Sequence, residues 1–312
     1  MKEKRMVRSP EAPDAYFQDC TLCPRNCHAN RLTGKKGRCK AGSLPVVSRA
    51  ALHFWEEPCI SGQEGSGAVF FSGCSLGCIY CQNREISGGE KGKVISPERL
   101  SDIFLELQSQ GANNINLVTA AHFAPWVVWA LQRAEEKGLH IPAVYNSGGY
   151  ESIETLRMLE ESIDVYLPDM KYADPLLAES LSGAVDYPQR ALAAIEEMLR
   201  QTGPPVFNEK GLLVKGTLVR HMILPGKTRA SIEVLRLLHQ TFGDRIGISI
   251  LSQYTPVIHD PLPYKELGRR LTAREYRKVV DAALDMGITR GYYQERDAAG
   301  ESFIPAFDGR GV

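Results

Sequence analysis

Residues Phe71 to Asn83 read FSGCSLGCIYCQN and set Cys74, Cys78 and Cys81 in the spacing Cys-x3-Cys-x2-Cys. Three thiolates on one tight loop can hold three irons of a 4Fe–4S cluster. Gly73 and Gly77 give the backbone the freedom to curl around it. No cysteine follows Cys81, so one iron would keep an open site. An open iron makes a reaction centre, whereas a fully ligated cluster serves as a relay. A structural zinc site is the competing reading, but such sites close with four ligands in paired spacings. Just before the loop, Ala68 to Gly73 (AVFFSG) is an unbroken apolar run, the pattern of a strand covered on both faces.

Outward from that strand the chain alternates. NINLVT (114–119), IPAVYNS (141–147), DVYLPDMK (164–171), LLVKGTLVRHMILPG (212–226) and IGISILSQY (246–254) read as further strands. Between them lie helical patterns, the first opening at Pro97 with Ser96 as N-cap. RGYYQE (290–295) reads as a last short strand. Six parallel βα units are expected, which suits an open partial (β/α)6 barrel or a doubly wound sheet. In either, the C-terminal strand ends carry the active site, and the cysteine loop occupies one of them.

Composition excludes several classes. The 312 residues carry 37 basic and 37 acidic side chains, so there is no general electrostatic footprint for nucleic acid or membrane. No apolar run approaches a membrane span. The N-terminus lacks the apolar stretch of a signal peptide, and the chain reads as cytoplasmic. In that compartment clustered cysteines are metal ligands before they are disulfides.

The loop motif with Tyr80 inside it, after the first strand of a βα series, resembles the radical SAM superfamily over about residues 63–295. GSGAVFFSGCSLGCIYCQN, GANNINLVT, YNSGGYES, YLPDMKYAD, VRHMILPG and ELGRRLTAREY look like one branch of it, the uncharacterised iron–sulfur proteins related to pyruvate formate-lyase activating enzyme. The resemblance implies the partial-barrel form of the fold, with Cys74, Cys78 and Cys81 binding the cluster. It implies S-adenosylmethionine (SAM) chelating the open iron, one-electron cleavage of its C–S bond, and hydrogen abstraction by the 5′-deoxyadenosyl radical. Tyr80 would lie near the adenine. An electron donor such as flavodoxin or ferredoxin is implied, and the substrate would be a glycyl-radical enzyme, another protein or a small molecule. An open barrel mouth would suit a macromolecule. The alternatives are an electron-transfer iron–sulfur protein without SAM cleavage, and a metal-stapled binding module.

The family's Gly-Gly-Glu element belongs at the end of the second strand. Gly88–Glu90 lies only seven residues after Cys81 and reads as an ordinary turn. Thr119, the carbonyls around Ala120, and His122 become candidates for the amino group of SAM. Other strand-end candidates are Asn146, Ser147, Asp169, Lys171, Arg220, His221, Gln253 and Tyr254. Asp169 and Lys171 resemble the Asp-x-Lys of glycyl-radical activases, where the lysine lies near the cofactor carboxylate.

The segment 16–62 reads as a separate cysteine-rich module, between a polar tail (1–15) and the barrel (63–295), with a C-terminal tail at 296–312. Cys20, Cys23, Cys27 and Cys39 read as a closed four-ligand set, since metal binding can staple a module that lacks a core. Zinc and an auxiliary 4Fe–4S cluster both fit, with a slight inclination to zinc or a structural role. NRLTGKKGRCK (30–40) carries five basic residues, a solvated loop or a surface for an acidic partner. Cys59 reads as a buried free thiol.

Overall fold

The computed structural model describes residues 13–256, 263–294 and 304–312. Most of the expected polar tail (1–12), part of the expected C-terminal tail (296–303) and Glu295 of the last predicted strand lie outside the described residues. The strands are β1 (Val46–His53), β2 (Ser66–Phe71), β3 (Lys93–Val94), β4 (Ile115–Val118), β5 (Ala143–Ser147), β6 (Val165–Pro168), β7 (Val206–Phe207), β8 (Leu213–Met222), β9 (Gly247–Leu251) and β10 (Gly291–Tyr293). They form one sheet ordered β10-β9-β8-β6-β5-β4-β2-β1-β3, with β7 paired to β8.

All six predicted βα strands are present, and β2, β4, β5, β6, β8, β9 and β10 run parallel in sequential order. A doubly wound sheet reverses its strand order at a switch point, and this one does not. Right-handed crossovers in one direction place the crossover helices on one face. The other face becomes the inside of an open barrel.

The strands show why they read as continuous apolar runs. In β2, Val69 and Phe71 pack outward with Leu100, Ile103 and Phe104 of the helix Pro97–Ser109, while Ala68 and Phe70 pack inward with Val118. From Ala68 to Phe71 both faces are buried, so this run carries no polar residue. That first helix starts where Ser96 accepts the Arg99 backbone N–H, and its buried positions Leu100, Ile103, Phe104 and Leu107 recur at helical spacing. The helix Ala273–Asp285 opens on a capping box between Thr272 and Glu275. No helix among the described residues is long and apolar enough to cross a membrane.

Two expected boundaries need correction. The segment 16–62 is not one module, because its later part enters the main sheet. β1 pairs antiparallel with β2, and Cys59 and Ile60 pack with Val144, Val165, Leu167, Leu213 and Leu218. β1 escapes a sequence reading because, as a half-covered strand, it carries Ser48 and Arg49 within an irregular burial pattern. Residues 304–312 are not a free tail either. They follow β1 through Ala50 N–H to Arg310 O (2.8 Å) and Gly309 N–H to Ser48 O (3.0 Å). Phe307 is buried edge-on against Phe70, centroids 5.5 Å apart.

The cysteine-rich part, 16–45, borrows its core. Phe17 stacks on Trp126 of the helix Ala124–Glu136 at 5.8 Å. The guanidinium of the buried Arg31 lies over the rings of Phe17 (4.6 Å) and Phe123 (5.3 Å) and donates to His122 O (2.6 Å) and Gly42 O. A cation buried this way holds the module to the barrel through hydrogen bonds and ring contacts, without reference to any metal.

Candidate active site

The cysteine loop leaves the C-terminal end of β2 and folds over the barrel mouth. Gly73 and Gly77 sit at φ +94° and +61°, in the left-handed region where a Cβ is strained. A Cβ on Gly73 would also come within 2.4 Å of Cys39 O. Buried Leu76 anchors the loop into the apolar layer, and Ile79 N–H donates to Leu181 O (3.0 Å). Cys74, Cys78 and Cys81 are each partly exposed and line a single cavity. Ser182 Oγ donates to Cys78 Sγ at 3.0 Å and shares a hydrogen bond with Tyr172 Oη (2.7 Å). Tyr172 Oη and Tyr80 Oη are hydrogen-bonded at 2.8 Å, and with the protons ordered Tyr80 to Tyr172 to Ser182 to Cys78 the chain ends on one loop sulfur.

The same cavity, about 1320 Å3 with its open solvent side, is lined by every strand-end residue carried forward as a cofactor contact: Tyr80, Thr119, Asn146, Ser147, Asp169, Lys171, Arg220 and Gln253. Its floor is charged. Lys171 Nζ donates to Asp169 (2.5 Å), and Arg220 donates to Asp169 (2.9 Å), Asn146 (2.5 Å) and Glu56 (3.1 Å). Burial alone would raise the Asp169 pKa, but Arg220 and Lys171 outweigh it and hold the carboxyl below its usual range. Burial would likewise lower Lys171, yet Asp169 and then Cys78 keep it raised and charged. Burial raises the thiols of Cys74 and Cys81, the latter to about 12, and the charge of Lys171 opposes it only after the backbone N–H groups of the loop.

Thr119 lines the cavity at φ +60°, uncommon for any residue with a Cβ and an outlier for a β-branched one. Strain of this kind collects at functional sites. His122, the other candidate beside it, is turned away. It is buried, with Nε2 on Ser72 O (2.8 Å), and burial followed by Arg31 pushes its pKa down to about 3. His221 alternates to the helix side of β8, with Nδ1 on Met170 O (2.7 Å). Tyr254 is buried and donates to Leu267 O (2.6 Å). These three are packing residues. Gly88–Glu90 is a turn, with Gly89 at φ +76°. Cys59 is the buried thiol expected, pushed up to about 12 by burial.

Sequence reasoning missed several cavity residues. Glu56 accepts from Arg220, Asn116 (3.3 Å) and Asn146 (3.2 Å), and burial pushes its pKa up against the pull of Arg220. Its only sequence signal is an acidic pair, Glu56–Glu57, set directly before Pro58 in an otherwise apolar stretch. Trp55, Met222, Leu251, Ile304 and Pro305 complete the wall. The C-terminal segment thus narrows a mouth that a bare six-stranded sheet would leave open.

The second cysteine set lies outside the barrel. Cys20, Cys23 and Cys39 are buried and Cys27 is exposed. Cys39 feels the charges of Cys20 and Cys27, and Cys23 those of Cys39 and Cys20, so the four are neighbours. Among the described residues no three His, Cys, Asp or Glu side chains form the tight shell of a single bound metal ion. A 4Fe–4S cube ties each thiolate to a different iron and needs no such shell, so the loop's donor set fits a cluster: three thiols, no fourth protein ligand among the described residues, and a cation beside them.

The family profile described as "Radical SAM superfamily" matches residues 68–239. A protein of Methanocaldococcus jannaschii, described as uncharacterized protein MJ0674, is 26% identical over 276 residues, 86% of this chain and 75% of that one. Among solved structures, Streptococcus suis SuiB bound to precursor peptide SuiA is similar at TM-score 0.48 and 14% identity, over 71% of this chain and 46% of that one. HydG, a maturase of the FeFe-hydrogenase, gives 0.48 and 16%, over 70% and 49%. A domain of pyruvate-formate lyase-activating enzyme from Bacteroides vulgatus gives 0.39 and 11%, over 55% and 92%. This chain spans less than half the length of SuiB or HydG.

Proposed function

Because the chain belongs to the radical SAM superfamily, we propose that it is an enzyme that holds a 4Fe–4S cluster on Cys74, Cys78 and Cys81 and cleaves SAM in the cavity beneath. When bound, the cluster would supply the electron for reductive cleavage of the SAM C–S bond and so the means to abstract a hydrogen atom from the substrate. The chain's own residues do the rest. Lys171, fixed by Asp169, offers a permanent cation to the methionine carboxylate and to the anionic cluster. Arg220 holds Asp169 and Asn146 in place. Thr119 and its strained backbone would meet the amino group, and Tyr80 would flank the adenine. The loop and the apolar wall exclude water from the reacting centre.

The observation that carries this reading is the three-thiol loop facing the Asp169–Lys171–Arg220 floor across one cavity. Anaerobic reconstitution with iron and sulfide, then SAM and dithionite, tests it. The wild type forms 5′-deoxyadenosine and Cys78→Ala forms none. A reconstituted wild type that leaves SAM intact overturns the proposal.

The finer reading is an activating-enzyme-like oxidoreductase, supported by the Asp169-x-Lys171 pair. The narrowed mouth at Ile304 and Pro305 favours a small molecule over a protein loop as substrate. A glycyl-radical signal raised on an added glycyl-radical enzyme would decide for the protein substrate. We carry Cys20, Cys23, Cys27 and Cys39 forward as a second metal site, zinc or iron–sulfur, which elemental analysis of a variant lacking the three loop cysteines decides.

A further inference from the structure

Reductive cleavage of a sulfonium C–S bond consumes one electron per turnover, and no group of the chain regenerates it. The electron must come from outside, through some surface close to the cysteine loop. The turn 35–40 is such a surface. Lys35, Lys36, Arg38 and Lys40 are exposed. Among the described residues Lys35, Lys36 and Arg38 have no ion-pair partner, and Lys40 meets only the exposed Glu90 at 3.3 Å. Many other exposed bases are matched at close range, as in Lys137–Asp102, Arg190–Asp186 and Arg236–Glu233.

This turn lies against the loop. A Cβ on Gly77, between Cys74 and Cys78, would lie 3.7 Å from Arg38 Nη2. Cys39 O abuts Gly73, one residue before Cys74. Arg25, on the same module, donates to Ser75 O (2.9 Å) inside the loop and to Ser182 O (2.9 Å). Unneutralised positive charge therefore converges on the outer side of the segment that carries the ligands, in a chain whose net charge is zero.

We infer that Lys35, Lys36 and Arg38 form the docking surface for a small acidic one-electron carrier protein. The inference rests on the proposed SAM cleavage. The carrier is oxidised by one electron and the protein reduced by one, with no group transferred. Charge complementarity sets the encounter: clustered lysines steer an acidic partner and raise its on-rate, in a salt-dependent way. Nucleic acid is the weaker occupant, because the patch is small and the exposed residues of the turn include no aromatic ring for a base to stack on.

The test is Lys35→Glu/Lys36→Glu in the reconstituted full chain, assayed for 5′-deoxyadenosine with two electron sources. One is dithionite, which needs no docking site. The other is an acidic flavodoxin reduced by its NADPH-dependent reductase. A control variant, Arg274→Glu/Lys278→Glu, makes the same charge change on the exposed face of the helix Ala273–Asp285. The expected result is unchanged dithionite-driven cleavage, and flavodoxin-driven kcat/KM lowered on the order of tenfold at low salt. Added salt should close the gap, and the control should match the wild type. Equal loss in the control, or no loss in the test variant, overturns the docking surface. No cleavage with dithionite in the wild type sinks the proposed function instead, so the two failures are distinct.

Discussion

The two cysteine sets share a residue type and little else. Cys74, Cys78 and Cys81 are partly exposed, face a cavity with a charged floor, and have Lys171 acting on all three. Cys20, Cys23 and Cys39 are buried, Cys20 against Arg31 and the ring of Phe17 and Cys39 at the edge of the main core. Spacing separates them only by count, three against four. What separates their chemistry is where β2 delivers the first set and where Arg31 pins the second. The lesson is that a metal-ligand motif gains its function from the fold around it.

The sharpest way to break the comparison is Cys78→Ala. SAM cleavage should fall to background and the iron content should drop by about four per chain. Compared without the cluster, the folding stability should move by about 0.5 kcal/mol or less, because the loop thiols are partly exposed and carry little of the core. The double variant Cys23→Ala/Cys39→Ala should do the reverse. It leaves the loop iron and SAM cleavage in place, and costs about 3 kcal/mol of stability from the buried volume and any bound metal. Urea unfolding with paired iron analysis checks both. A module variant that loses loop iron would merge the two sets into one site.

A smaller effect comes from Glu151, buried beneath the module, where Tyr145 Oη donates to it at 3.2 Å and Cys23 feels its charge. Burial pushes its carboxyl from 4.5 up to about 7, against the pull of Tyr145 and Ser147. Between those values the folded chain holds a proton that the unfolded chain has released. Stability contributed by this group is therefore full below the unfolded value and declines as pH rises through the window. The decline should be about 2 kcal/mol between about pH 5 and about pH 7, by the linkage relation. Glu151→Gln should flatten it, as urea midpoints at the two pH values would reveal. An unchanged slope would place the titrating group elsewhere.

The parts of the site legible in the sequence are those tied to regular strands. Asn146, Asp169, Arg220 and Gln253 could be placed because parallel strands end where their apolar runs end, and ends face the mouth. Thr119 was found by the failure of the Gly-Gly-Glu motif to fall at the end of β4, and its positive φ gives that position a physical mark. Glu56 could not be found this way. It lies in a segment with no periodicity, and its partner Arg220 is 164 residues away. Ser182 and Cys78 meet across 104 residues, and Phe307 reaches Phe70 from the far end of the chain. Pairings of that separation come from the closing of the sheet, which no local pattern encodes. His122 misled for a related reason: its strand-end position suited the cavity, but Ser72 and Arg31 draw it to the opposite side.

The smallest predicted effect sharpens the contrast within the cavity itself. Ser182 Oγ donates to Cys78 Sγ at 3.0 Å, while Cys74 and Cys81 receive stabilisation from backbone N–H groups of Leu76, Gly77 and Asn83. Hydrogen bonds to cluster sulfurs raise the reduction potential, because reduction adds negative charge that the donor stabilises. Ser182→Ala removes one donor without touching the thiol. The net worth of such a bond is about 1 kcal/mol, which on a one-electron couple is roughly 40 mV. The midpoint should therefore move negative by about that amount in an EPR-monitored titration. Tyr172 loses its Ser182 partner in the same variant but keeps Tyr80, so the ring proposed to flank the adenine stays in place. SAM affinity should hold while the potential shifts. A positive shift, or a loss of SAM binding with no shift, would show that Ser182 packs the helix Pro175–Ser182 and does not tune the loop sulfur.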